Sequence, residues 1–307
     1  MLSADGRFRL AVSAYPELVA VLAAAALGLS VQRPLTAVVA HHGIDILLVV
    51  LVFATALGIE PTELRSAVPS WPVIAAAAVV GVTILPAVAW GLSLLVTPGP
   101  LRDGVRAAGL APCEIASMAT AAMAGGAAAV GAGVLVTSTL ATILLAGPIL
   151  GLEAGGGQLD PASIAAHLAL VVAMPLALGL ALRTRWRPAA TAGTAGKVTA
   201  TVAIAGLVAL IAAEVHLGTA YAAVVPVFAA LIALSAVIGR LLGGRRVRPV
   251  RTALLLTTSM RDFAVAASLA AAAWGPSAAA PLGVYGVLVL AWGTAAAGFL
   301  RSRRRAT

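Results

Sequence analysis

Arg261 and Asp262 stand side by side behind the hydroxyls of Thr257, Thr258 and Ser259, inside a stretch otherwise apolar enough to cross a membrane. A guanidinium is always charged and presents a planar fork of donors. It can grip a carboxylate through two hydrogen bonds or fill the charge role of a metal cation. Keeping an arginine at membrane depth costs roughly 2.5 to 3.5 kcal/mol on insertion scales, so a chain that retains one has a use for it. A second polar segment, Pro112-Cys113-Glu114-Ile115-Ala116-Ser117, interrupts another apolar stretch and adds a carboxylate, a thiol and a hydroxyl. Glu114 and Asp262 are the candidate counter-ions of Arg261. A carboxylate that loses and regains an arginine can load and release a proton, because burial favours the neutral acid and the arginine favours the ionised one. The same charges can instead form a static pair that locks two helices together. Thr137 and Thr139, in the run Val136-Thr137-Ser138-Thr139-Leu140, are further oxygen donors, although hydroxyls in apolar helices often bond their own backbone. No triad, phosphate-binding glycine loop or nucleotide motif is present, and the chain does not read as an enzyme.

These residues need membrane helices to position them. With 61% hydrophobic and 10% charged residues and a mean hydropathy of +1.05 over 307 residues, a water-soluble fold would lack the polar surface to cover itself. Backbone polar groups in lipid must be paired internally, and the Ala/Leu/Val runs lack the alternation of a barrel, which leaves α-helices. The sequence predicts ten spans, near 12–31, 43–59, 71–96, 105–125, 127–150, 162–182, 197–215, 219–240, 251–274 and 277–300. The 20 basic residues check this count. With a cytoplasmic N-terminus, only Arg33, Arg102 and Arg106 fall outside and Arg261 within the membrane. The remaining sixteen, Arg7, Arg9, Arg65, Arg183, Arg185, Arg187, Lys197, Arg240, Arg245, Arg246, Arg248, Arg251, Arg301, Arg303, Arg304 and Arg305, fall inside. The net charge of +9 therefore reports topology and lipid contact, with no nucleic-acid partner. Both termini are expected in the cytoplasm and the protein in the plasma membrane. Arg7 and Arg9 before an alanine-rich run mimic a signal peptide, but removing that run would spoil the orientation, so it is expected to stay as the first span.

A repeat supports the count. Ala26-Leu27-Gly28-Leu29, followed by Gln32-Arg33-Pro34, recurs as Ala177-Leu178-Gly179-Leu180, followed by Arg187-Pro188. Duplicating five spans inverts the second copy, giving halves at 1–150 and 151–307. The same shift relates the two polar interruptions, and paired interruptions in corresponding spans point to a binding site at the membrane midplane. The fourth and ninth spans are thus expected to be broken and to cross.

At these residues the chain resembles a known family. Pro112 to Ser117, the Val136–Leu140 run with its closing Pro148, and Ser259-Met260-Arg261-Asp262 are similar to the fourth, fifth and ninth spans of the bile acid:sodium symporters, whose superfamily includes arsenite permeases. The resemblance implies an all-α membrane protein of ten helices in two inverted five-helix repeats. It implies a core domain of spans 3–5 and 8–10 beside a panel domain of spans 1, 2, 6 and 7, and symport of a small organic anion with sodium. Carried over residue by residue, however, the sodium site is degenerate. Ser117 matches, but the next asparagine is Met118, the ninth-span glutamate is Thr257, and its glutamine and asparagine are Arg261 and Asp262. A thioether is soft and a guanidinium cationic, whereas sodium wants hard oxygens. Sodium and proton coupling both stay open.

Cys113 stands where the arsenite branch also places a cysteine. It is read either as a thiol ligand for trivalent arsenic or as a small apolar residue. His41-His42 in an external loop and His167 in an apolar span lack clustered acids, so no metal site is expected. Asp45 and Glu17 lie near span ends, within reach of the interface. The reading is a secondary transporter of a small organic anion. The alternatives are a proton-coupled arsenite or metalloid exporter and a non-transporting membrane scaffold or sensor. Substrate, direction of transport and oligomeric state stay open.

Overall fold

The computed structural model describes residues 16–153, 160–185, 190–215 and 218–305. Arg7, Arg9 and Arg187 of the charge argument and Pro188 of the repeat lie outside the described residues. Among the described residues the protein is all-helical, with a single isolated β-bridge. The helices are α1 (Pro16–Ser30), α2 (Gln32–Ala40), α3 (Gly43–Ala56), α4 (Pro61–Ser66), α5 (Trp71–Val82), α6 (Ile84–Ser93), α7 (Pro100–Leu110), α8 (Ala116–Met123) and α9 (Ala128–Glu153). They continue with α10 (Pro161–Leu168), α11 (Met174–Arg185), α12 (Ala190–Ala213), α13 (Thr219–Gly243), α14 (Arg248–Ser259), α15 (Phe263–Trp274) and α16 (Ala280–Arg305). A π-turn at Ala169–Ala173 joins α10 to α11.

Local sequence sets many of the ends. Proline opens α4, α7 and α10, where its missing N–H is one that no helix start can satisfy. Asp160 caps α10 by accepting from the N–H groups of Ala162 and Ser163. Gly125 and Gly244 take positive φ, 77° and 42°, at the tight turns after α8 and α13. Among the described residues five helices are long and apolar enough to cross a membrane: 68–93, 128–152, 161–185, 221–243 and 276–303. Residues 43–56, 198–213 and 263–274 form shorter apolar helices.

One expectation is corrected. The external loop predicted after residue 31 is mostly the helix α2, turned through 97° from α1. Pro34 lies in its first turn, where proline is tolerated, so the Gln-Arg-Pro sequence starts a helix as readily as it ends one.

Two sets of close helix pairs stand out, joined to each other where α10 packs on α9, α16 on α12 and α15 on α3. In one, α12 lies against α1 and α3, and α11 against α3. Glycine permits the close approach: a Cβ on Gly28 would meet the Ala209 carbonyl oxygen at 2.3 Å, and one on Gly179 the Ala56 Cβ at 2.6 Å. In the other, α5 packs on α9, α6 on α7, α13 on α14, and α7 on α15 and α16. There Gly109 lets α7 close on α6, and Gly239 lets α13 close on α14. The residues of the two polar interruptions, Glu114, Arg261 and Asp262 among them, fall in or beside the second set, whereas Asp45 lies on α3 of the first.

Candidate functional site

The chain unwinds after Leu110 and again after Ser259, and the two unwound segments run antiparallel as a one-residue β-bridge between Cys113 and Arg261. The Glu114 N–H donates to the Met260 carbonyl at 2.8 Å and the Asp262 N–H donates to the Pro112 carbonyl at 2.9 Å. Breaking two helices at membrane depth exposes backbone groups that cost several kcal/mol each if unpaired, and this exchange satisfies four of them. The expected interruptions are therefore present, and they meet.

Arg261 is 2% exposed. Its Nη2 donates to the carbonyls of Gly81 at 2.9 Å and Gly109 at 3.3 Å, the terminal turns of α5 and α7. Both carbonyls lie at the negative ends of their helices, where a cation is favoured. Pro86 has no N–H, so α5 stops at Val82 before α6 resumes. Gly81 also makes room, since a Cβ there would lie 3.2 Å from Nη1. The other open carbonyl of α7, that of Leu110, accepts from the Thr142 hydroxyl at 3.1 Å. The Arg261 main-chain N–H donates to the Tyr285 hydroxyl at 3.3 Å, and Nε has no partner.

The static ion pair, one of the two alternatives the sequence left open, is not formed. Among the described residues no carboxylate pairs with Arg261; Glu114 and Asp262 serve backbone N–H groups instead. Asp262 Oδ1 accepts from Ala264 and Val265, both at 2.9 Å, and Glu114 Oε2 accepts from Phe263 at 3.3 Å. Two carboxylates thus occupy the positive N-terminus of α15, the feature that would otherwise hold an external anion. Glu114 Oε1 is buried without a partner.

The hydroxyls divide into two groups. Thr137 and Thr257 bond carbonyls of their own helices, Gly133 and Ala253, both at 2.8 Å. Ser259 donates to Leu256 and accepts from the Trp292 Nε1–H at 2.9 Å. The Ser117 and Thr258 hydroxyls are buried without partners. Met118 packs over Gly131 of α9. Cys113 is fully buried, and its N–H donates to Ser138 Oγ at 3.2 Å.

A narrow cleft with room for about one water molecule adjoins the bridge. Asp262, Pro112, Ile115 and Thr139 line it from the second packing set, and Val52, Thr55, Val172 and Leu176 face them from α3 and the α10–α11 segment. Asp262 and Thr139 thus reach the cleft, whereas Arg261 lies behind it. Sequence reasoning missed Tyr285, Trp292, Thr142 and the Gly81 carbonyl, none of which carries a local signal. It also left Asp45 and His167 as isolated residues; in the structure they meet each other and Ser268.

No curated protein matches this chain. A model of the sodium bile acid symporter family matches residues 45–224, which takes in the Pro112–Ser117 segment and the Val136–Pro148 helix and stops before Arg261. That match covers more than half of the chain, and the apolar helices agree with it: the protein is an integral membrane protein belonging to the sodium bile acid symporter family.

Proposed function

We propose that this protein is a secondary active transporter of a small organic anion that gives alternating access to a midplane site at the bridge of the two broken helices. The family consists of transporters and not enzymes, and membership implies an organic-anion function of the bile acid:sodium type. One observation carries the reading most: the two interrupted helices are tied together beside a cleft whose opposite walls come from the two packing sets. Relative motion of those sets would open and close it.

In this reading the helices form ten spans with both termini in the cytoplasm of a plasma membrane. The fourth span is α7 with α8 and the ninth α14 with α15; spans 3–5 and 8–10 make the core and spans 1, 2, 6 and 7 the panel. Two inverted repeats are supported by the glycine contacts. Gly28 of span one abuts span seven, while Gly179 of span six abuts span two. These two contacts interchange when each span is replaced by its counterpart five positions away.

Sodium does not fit the residues present. The donor at the position most like its site is the Arg261 guanidinium, already on the Gly81 and Gly109 carbonyls, and the Thr257 hydroxyl is spent on its own helix. Arg261 is a tethered cation in the place of a mobile one. Ser117, Thr258 and Glu114 Oε1, unpartnered and buried, are the groups left for a substrate or a proton. Glu114 and Asp262 against Arg261 give the crossing a net formal charge of minus one with both acids ionised. An incoming anion needs a companion cation, and a proton is one that these carboxylates can carry.

The test is a binding screen of carboxylates, sulfonates and arsenite on purified protein, with sodium exchanged for choline. Binding of a carboxylate or sulfonate that changes less than about threefold, under 1 kcal/mol where tenfold is about 1.4 kcal/mol, supports the reading. Arsenite binding alone would favour the metalloid exporter, with Cys113 as its thiol. No binding by any class would favour the scaffold.

A further inference from the structure

Away from the bridge, three polar side chains from three distant parts of the chain converge where the two packing sets touch. Asp45 lies on α3 of the first set and Ser268 on α15 of the second, while His167 lies on α10, which packs against α9 and α15. Ser268 Oγ donates to Asp45 Oδ1 at 2.7 Å. His167 Nε2 lies 2.9 Å from Ser268 Oγ and 3.5 Å from Asp45 Oδ1. A carboxylate can only accept, so the serine donates to Asp45, and a protonated Nε2 donates in turn to the serine oxygen. Asp45 is also 3.3 Å from His42 Nδ1.

The arrangement is not a nucleophilic triad, since in a triad the acid holds the histidine through the nitrogen that does not face the serine, and here both contacts use Nε2. It is a set of bonds across an interface. Of the residues joined, Ser268 is buried, whereas the Asp45 and His167 side chains are 20% and 25% exposed. Ser268 stands one turn beyond the cleft-lining Val265. Asp45 stands seven residues before Val52, about 10 Å at 1.5 Å per residue. The contact therefore lies to one side of the cleft and, in the ten-span reading, on its outer side.

We propose that Asp45, His167 and Ser268 form a proton-operated latch that closes the two packing sets on one side of the cleft when His167 becomes doubly protonated. The inference rests on the transport reading for its purpose, since closing one side of a cleft matters to a protein that alternates access. A doubly protonated His167 keeps its donor toward Ser268 and gains a charge opposite Asp45, which orients the carboxylate to accept from the serine. A neutral His167 is free to move its one proton to Nδ1, which turns a bare nitrogen toward the Asp45 oxygen and the serine. Histidine is the side chain whose ordinary titration falls between pH 5 and 8. The groups that face it are Asp45, His42 and Ser268. No titratable side chain lies on α15 itself.

The test uses full-length protein in lipid nanodiscs with spin labels at the exposed positions Ile46→Cys and Ala272→Cys, leaving the buried Cys113 in place. The distance between labels is measured by pulsed electron spin resonance across pH 5 to 8. The expected result is a short, narrow distribution at the acid end that gives way to a longer one as pH rises. His167→Gln and Asp45→Asn should hold the long distribution at every pH, while His42→Gln, at an 84% exposed site, should leave the response unchanged. Nitrogen NMR of the four histidines in the unlabelled protein gives the second measurement, independent of whether the variants fold. His167 should titrate with the same midpoint as the distance change. A distribution that ignores pH, a response that survives His167→Gln, or a His167 midpoint away from the transition overturns the latch. These measurements need no substrate, so failure to find a carried anion leaves them standing. A pH-insensitive interface sinks the latch without touching the transport reading.

Discussion

In the first interrupted helix α7 ends at Leu110 directly before Pro112, whereas in the second α14 ends at Ser259 with no proline between Pro249 and Pro276. The first break has a local cause: Pro112 removes a backbone donor and disfavours helix at the residue before it. The second has none. There α15 restarts because Asp262 caps it, and the carbonyl of Met260 is taken by the Glu114 N–H of the first break. One interruption is written into its own segment and the other is completed by its partner. The two also differ in charge, with a lone carboxylate on one side and an arginine beside an aspartate on the other. The arginine looks past both carboxylates to two helix ends.

The largest expected effect comes from removing what only the second break has. Arg261→Gln should lower anion binding or uptake more than tenfold while expression falls little. Neutralising Arg245, Arg246 or Arg248 singly should change either by less than about twofold, because exposed loop charges are redundant for topology. Equal losses at both places would contradict the distinction, and uptake assays beside quantified membrane expression decide it. Next, Asp262→Ala removes the cap of α15 and should cost about 0.5 to 2 kcal/mol by thermal unfolding in detergent. An unchanged midpoint would mean that the pairing with Pro112, and not the cap, restarts the helix. Pro112→Ala should cost less, about 0.4 to 1 kcal/mol, the usual magnitude of a proline's effect on the unfolded chain. The break should persist because the backbone exchange remains. A continuous helix through residues 108–118 in a structure of that variant would show that the two breaks are independent after all. The smallest expected effect is that of sodium, under about threefold on binding. A steep sodium dependence abolished by Thr257→Ala or Ser117→Ala would show that Arg261 does not stand in for the cation.

Much of the candidate site was legible because its cost is legible. A charge, a proline or a run of hydroxyls inside 20 apolar residues stands out against lipid, and Glu114, Arg261, Asp262 and Pro112 were all found on that ground. What those groups bond was not legible. Arg261 lies 180 residues from Gly81, and a backbone carbonyl has no residue-type signature, so a carboxylate was the natural partner to expect. Asp45 and His167 failed for the same reason: each alone, near a span end, reads as a residue reaching the interface. Their meaning depends on Ser268, an unremarkable hydroxyl in an alanine-rich helix.

By itself, the sequence determined the solvent. Its apolar excess and the length of its runs, which lack the alternation of a barrel, require helices in a bilayer, where backbone groups must be paired internally. It also determined where those helices must yield, because a proline and buried charges cannot be absorbed by an uninterrupted apolar helix. Only the tertiary structure decided how the yielded segments are satisfied. Hydrogen bonds across 150 or more residues form between groups brought together by helix packing, and glycine positions such as Gly28, Gly109 and Gly239 set how closely those helices approach. That packing gave Arg261 to two helix ends, gave both carboxylates to a third, and brought His167 to Ser268, pairings that no local pattern encodes.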